Sequence, residues 1–197
     1  RLVERLAAEG MDPEFLVPLF ADPRTEPIKD FMKISTVSRE VPEIYAQFLN
    51  VESIKLARTF LRQNLKTLKE MELRFQVEKE IVVAILLIES RFGENIGRHR
   101  VIPTLASIAL TDSPPNVQEN YLRLRETDPE IPFERVEGIA RRKASWAYKE
   151  LKCFLQIVGH ETMDPLEFKG SYAGALGMAQ FLPSSYLAYA LSEKSLE

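Results

Sequence analysis

Glu89 is the residue whose type and position most invite a chemical role. Eight apolar residues, Ile81 to Ile88, run into it without interruption. A helix that is apolar on every side is expected to be buried on every side. An ionised carboxylate at its end would then cost several kcal/mol or more unless it were paired. The cheaper arrangement is a raised pKa that keeps the group protonated, and the negative end of the helix dipole pushes the same way. Carboxyls placed like this serve as general acids. The other reading is a plain ion pair, with Arg91 or another cation, at a helix end facing solvent.

A second group lies in GSYAGALGMAQFLPSSY, residues 170–186. Its small residues, Gly170, Ala173, Gly174, Ala175, Gly177 and Ala179, let another backbone approach closely. Gln180 stands among small and apolar neighbours, and Tyr172, Phe181 and Tyr186 flank the set. Amides and hydroxyls for hydroxyl groups, with ring faces for C–H faces, are what sugar recognition needs. Tight helix–helix packing is the competing explanation.

The elements that must position these groups are helical. Apolar residues recur at helical spacing, and alternating runs are nearly absent. Asp12-Pro13 and Asp22-Pro23 read as capped helix starts, with a short helix over EFLVPLF between them. One long helix is expected over Ser53–Phe75, burying Ile54, Ala57, Phe60, Leu61, Leu65, Leu68 and Met71. After a break near Val77 comes the helix of Ile81–Ile88, ending near Gly93. A short helix over Leu105–Leu110 stops at Asp112-Ser113-Pro114-Pro115. Phe133–Val158 forms another long helix, carrying Trp146, Leu151, Phe154, Leu155 and Val158, and a last helix follows residues 170–186. The fold class is mostly α.

Composition narrows the function. In 197 residues the charged fraction is 28% and the net charge −3, with the two signs interleaved. No basic stripe exists, so nucleic acid is not an expected partner. The longest apolar run is too short to cross a bilayer. RLVERLAAEG, at the start, has no hydrophobic signal region, which leaves room for a removed N-terminal segment as membrane anchor. Cys153, the sole cysteine, excludes an internal disulfide and reads as core packing. His160-Glu161 begins like a zinc-binding helix, but Asp164 takes the second histidine's place. No metal or other cofactor is expected.

Together the two segments resemble the lytic murein transglycosylases, in particular the catalytic part of the membrane-bound B type. Glu89-Ser90-Arg91-Phe92-Gly93 matches the family's first signature, followed by Gly97, Ile102, Leu105 and Ala106. Gly170 to Tyr186 match the second. The looser similarity reaches back to about residue 44. The resemblance implies a lysozyme-like helical domain over 77–197, with an N-terminal helical region, 1–76, packed on it. It implies peptidoglycan glycan strands as substrate and a periplasmic location, with attachment to the outer membrane as one form. Glu89 corresponds to the catalytic acid/base. As acid it would protonate the β-1,4 glycosidic oxygen between N-acetylmuramic acid and N-acetylglucosamine. As base it would then deprotonate the muramyl C6 hydroxyl, which closes on C1 to give a 1,6-anhydro end.

The resemblance also assigns Ser171, Gln180 and Phe181 to the substrate wall, with Tyr186 closing the signature. Ser90 is either a substrate neighbour or a support for the helix end. Arg142 and Lys143 match a cationic pair, with solvated charge as the rival reading. That register leaves residues 113–141 as an insertion, expected to form a flap or arm that alters access or docks a cell-wall protein. The family's C-terminal portion is not matched. Two other functions stay open. One is a lysozyme-type hydrolase with Asp112, Glu161 or Asp164 as its second carboxylate. The other is a glycan-binding protein without catalysis.

Overall fold

The structure, a computed structural model, describes residues 1–36, 46–159 and 163–190. In chain order its helices are α1 (Leu2–Ala8), α2 (Pro13–Ala21), α3 (Lys29–Met32), α4 (Val51–Gln63), α5 (Leu65–Phe75), α6 (Lys79–Ser90), α7 (Val101–Ala109), α8 (Pro114–Arg125), α9 (Phe133–Val158) and α10 (Pro183–Tyr189). Two short strands, β1 (His99–Arg100) and β2 (Lys169–Gly170), pair antiparallel with His99 opposite Gly170. The mostly helical class expected from periodicity is the class found.

Local chemistry explains most boundaries. The Asp12 carboxylate accepts from Glu14 N at 2.8 Å and starts α2 with Pro13 as its first residue. Asp22 does the same for Arg24 N at 2.8 Å, but only a single 3-10 turn, Pro23–Thr25, follows. The long helix expected over 53–75 is two helices, because Asn64 leaves the helical region at φ −110°, ψ 18°. Its side-chain amide donates to Phe60 O at 2.9 Å, so the side chain competes with the helix ladder. Leu68 is buried as expected, whereas Ile54 and Leu65 are exposed. Helix α7 begins at Val101, earlier than Leu105, since Pro103 falls in the first turn where its missing N–H costs nothing.

The chain forms two compact units. Unit 1 comprises Arg1–Thr36, Gly97–Ala175 and Phe181–Glu197; unit 2 comprises Val37–Ile96 and Leu176–Gln180. The boundary expected at residue 76 falls between α5 and α6, both of which lie in unit 2.

In unit 1, every residue of α7 is buried, and α9 packs along it. Helix α9 contributes Leu151, Phe154 and Leu155, each at most 1% exposed. The stretch 113–141, expected to form a flap or arm, contributes to a buried cluster of unit 1. Its Leu124, Ile131 and Val136 are buried together with Ile34. Its polar composition belongs to the outer faces of α8 and early α9; the inner positions are apolar at helical spacing.

The strand pair sets a tight constraint. A Cβ on Gly97, at φ +92°, would lie 2.0 Å from Gly170 O, and one on Gly170 would lie 2.4 Å from Ala175 O. Both glycines are therefore required by close backbone approach. Gly97→Ala should lower the unfolding free energy by about 3 kcal/mol or more. Urea denaturation reads this, and a wild-type midpoint would refute the packing account.

Candidate active site

Helix α6 carries the apolar run, and its burial is one-sided. Val83, Leu87 and Ser90 are buried at helical spacing, with α4 and α5 packed against the helix. Ile81, Ile85 and Ile88 are 49%, 50% and 41% exposed, and Glu89 beside them is exposed as well. The expectation of all-round burial is therefore corrected. Composition says a helix can be covered on every side, but it does not say how many neighbours are there to cover it. In unit 2 two helices take one face and leave the other. Burial within the folded chain does not sequester the Glu89 carboxyl.

The alternative of a plain ion pair fails too. Arg91 follows the helix in the left-handed region, at φ 49°. Its guanidinium turns to Glu94 at 3.3 Å and Glu52 at 3.5 Å. Among the described residues, no side chain pairs with Glu89. The carboxyl faces an open pocket of about 320 Å³ in unit 2, lined by Gln47, Phe48, Asn50, Ile88, Ser90, Arg91 and Asn95. Three side-chain amides, one ring and an isoleucine around a free carboxyl suit a ligand rich in hydroxyl and amide groups.

Of these lining residues, Gln47, Phe48, Asn50 and Asn95 were not singled out from sequence. Asn50 had a legible signal, since its side chain caps α4 by accepting from Ser53 N at 2.8 Å. The other three carry no pattern, because they sit in turns whose geometry comes from tertiary packing.

The end of α6 is locked. The Ser90 hydroxyl, 1% exposed as a residue, donates to Met178 O at 2.6 Å and accepts from Gly93 N at 2.9 Å. Arg91 N and Phe92 N return to Leu87 O and Leu86 O, and Phe92 stacks on Phe60 with centroids 4.2 Å apart. Of the two roles expected for Ser90, support of the helix end is the one its bonds display. Gln180, at φ 49°, belongs to the same unit; its amide nitrogen donates to Gly177 O at 2.8 Å and Ile96 O at 3.3 Å. Glu89, Ser90 and Gln180 thus share unit 2.

Ser171, Phe181, Tyr186, Arg142 and Lys143 belong to unit 1. Ser171 accepts from Ala173 N and Ala175 N at 3.2 and 3.1 Å, which shapes the turn after β2. Gly174 backs onto Leu105, where a Cβ would meet the side chain at 2.9 Å, so close packing accounts for part of the small-residue run. Phe181 and Tyr186 are exposed. The buried Glu150 holds their segment by accepting from Ser184 N at 2.9 Å and Ser184 Oγ at 2.8 Å. Arg142 is exposed. The Lys143 ammonium donates to Phe31 O at 2.9 Å and Lys33 O at 2.7 Å, so it is engaged in holding α3.

The other carboxylates named from sequence are also engaged. Asp112 pairs with Arg1 at 3.0 Å. Asp164 accepts from Leu166 N at 2.9 Å and pairs with Arg24 at 2.7 Å; that backbone bond first, and Arg24 second, hold its carboxyl below the usual range. His160 and Glu161 lie outside the described residues. Among the described residues no cluster of His, Cys, Asp or Glu could hold a metal.

Comparison with known proteins gives a consistent result. Residues 1–195 match the family described as Transglycosylase SLT domain. The membrane-bound lytic murein transglycosylase B of Escherichia coli (strain K12) is 30% identical over 145 residues, 74% of this chain and 32% of that protein. The crystal structure of soluble lytic transglycosylase SltB1 from Pseudomonas aeruginosa superposes with a TM-score of 0.72 at 27% identity, over 98% of this chain and 57% of the other. SltB3 from the same organism, solved in complex with NAG-NAM-pentapeptide, gives 0.68 at 24% identity over 97% of this chain and 44% of that one. The chain thus spans about a third to about three fifths of the length of these relatives.

The helix-end lock is testable by itself. Ser90→Ala should cost about 1–3 kcal/mol, because Met178 O and Gly93 N lose a buried partner. The Gly93 amide should exchange faster with solvent in the same variant. An unchanged unfolding midpoint together with unchanged Gly93 exchange would show that the hydroxyl is dispensable.

Proposed function

Because the chain belongs to the transglycosylase SLT family, we propose that it is a lytic transglycosylase of peptidoglycan. It cleaves the β-1,4 bond from N-acetylmuramic acid to N-acetylglucosamine and leaves 1,6-anhydromuramyl ends. The observation that carries this reading is Glu89, without a partner among the described residues, on a locked helix end, facing a pocket lined by amides.

In the proposed reaction the Glu89 carboxyl donates its proton to the glycosidic oxygen as the bond to the muramyl C1 breaks. The resulting carboxylate takes the proton of the muramyl C6 hydroxyl, whose oxygen forms the new bond to C1. One group gives a proton and regains one, so the enzyme returns to its starting state and no water is consumed. The muramyl 2-acetamido group steadies the cationic centre in between, which departs from the usual two-carboxylate scheme.

Glu89 is open to solvent, so the bound glycan supplies the cover. A sugar seated against Phe48 and Ile88 excludes water from the carboxyl. A carboxyl cut off from water favours the neutral form that can donate. The exposed acid is thus the resting condition of a site completed by its substrate.

Gln180, in the same unit as Glu89, offers its carbonyl oxygen to sugar hydroxyls. Ser171, Phe181 and Tyr186 are carried as substrate contacts on their match to the family signature, and exposure of both rings supports this. Arg142 is the better candidate of the cationic pair, since Lys143 is already engaged. A hydrolase of the lysozyme type would need a second carboxylate across the cleft; of its candidates Asp112 and Asp164 are each paired with a cation, and Glu161 lies outside the described residues. We place the protein in the periplasm, where its substrate is, and propose attachment to the outer membrane on the likeness to the membrane-bound relative. None of the described helices is long and apolar enough to cross a membrane.

Digestion of purified sacculi tests the proposal. Glu89→Gln should reduce release of soluble muropeptides by about 10²–10⁴-fold with little effect on stability. Mass spectrometry of wild-type products should find glycan ends lighter by one water than reducing ends. Reducing ends would establish a hydrolase, and undiminished digestion by the variant would remove Glu89 from the chemistry.

A further inference from the structure

Unit 1 contains a partly enclosed pocket of about 70 Å³ lined by Lys29, Met32, Lys33, Asn116, Glu119, Asn120 and Arg123. It joins α3 to α8, the first helix of the stretch that sequence set apart. We propose that this pocket is a binding site for a carboxylate group.

Charge is the first argument. Among the described residues, three cations line the space against a single carboxylate. Lys33 shares its charge with Asp30 at 2.7 Å, whereas no ion pair of Lys29 or Arg123 occurs among the described residues. The surplus is felt next door. Burial first, and the charge of Arg123 second, lower the pKa of the Lys143 ammonium, which bonds the carbonyls of Phe31 and Lys33.

Donor accounting is the second. Arg123 spends Nη2 on Ile34 O and on Asn120 Oδ1, the latter at 3.2 Å. Its Nε–H is buried and has no partner among the described residues. Buried N–H groups are rarely left so, and a guanidinium is shaped to meet a carboxylate. The wall around it is fixed before any ligand arrives. Asn120 Nδ2 donates to Met32 O and Asn116 O at 3.0 and 2.8 Å, its Oδ1 accepts from Ile34 N at 2.9 Å, and Asn116 Nδ2 donates to Leu110 O at 2.8 Å. These amides are committed to the scaffold, which leaves Arg123, Lys29 and the remaining protons of Lys33 for an anion.

Size and lining complete the case. The cavity admits a carboxylate head but not a sugar ring, and Met32 offers an apolar contact for the adjoining carbon. The same chemistry could be presented by a small free acid or by the C-terminus of a peptide. The site lies wholly within unit 1, and its occupation does not depend on the reaction assigned to Glu89.

The test is a titration of the full chain followed by nitrogen-15 NMR at the Arg123 side chain and the α8 amides. Probes are acetate, N-acetyl-Ala-Ala, its C-terminal amide, and inorganic phosphate. The expected result is saturable shifts with a carboxylate probe and none with the dipeptide amide. Stronger binding of the dipeptide acid assigns a peptide terminus; stronger binding of acetate assigns a small free acid. Lys29→Ala, an exposed residue bonded to nothing in the scaffold, should weaken binding about tenfold. Glu119→Gln, which removes the one opposing charge, should strengthen it. Equal response to acid and amide, phosphate binding without carboxylate binding, or no response at all would overturn the assignment.

Discussion

The arrangement around Glu89 depends on one hydrogen bond between residues far apart in sequence. Ser90 Oγ reaches Met178 O and at the same time caps Gly93 N. A helix end normally frays, since its last carbonyls lack partners. Here the hydroxyl fixes the final turn, and the Phe92–Phe60 stack fixes the chain leaving it. A carboxyl one residue from that lock has a defined backbone position while its own side chain stays free. For the proposed role, in which Glu89 gives up one proton and collects another, a rigid base with an unencumbered tip is the useful combination.

The charges nearby serve the same end by staying away. Arg91 adopts a left-handed backbone and carries its guanidinium to Glu52 and Glu94. Its charge is thereby committed away from Glu89. A guanidinium on that carboxyl would hold it ionised and unable to act as an acid. The left-handed backbone at Arg91 and Phe92 accompanies a Glu89 that no side chain among the described residues pairs with.

Much of this was legible in the sequence, and what was not has physical causes. Periodicity located α9 to its terminal residues, and aspartate caps located α2, because both signals are local. Family signatures picked out Glu89, Ser90 and Gln180, which the structure gathers in one unit. Periodicity failed at Asn64, where a side chain competes with the helix ladder. It also failed on α6, where eight apolar residues suggested burial that two neighbouring helices provide on one side only. The family register left 113–141 as an insertion, and its polar majority hid the apolar minority at helical spacing that is buried. Gln47, Phe48 and Asn95 gave no sign, since turn residues acquire their meaning from what folds beside them.

The bond between Ser90 and Met178 spans 88 positions along the chain. During translation the acid-bearing helix therefore emerges long before its acceptor does. Until the ribosome has delivered the later segment, that helix terminus lacks this anchor, and the site proposed around Glu89 is not yet fixed.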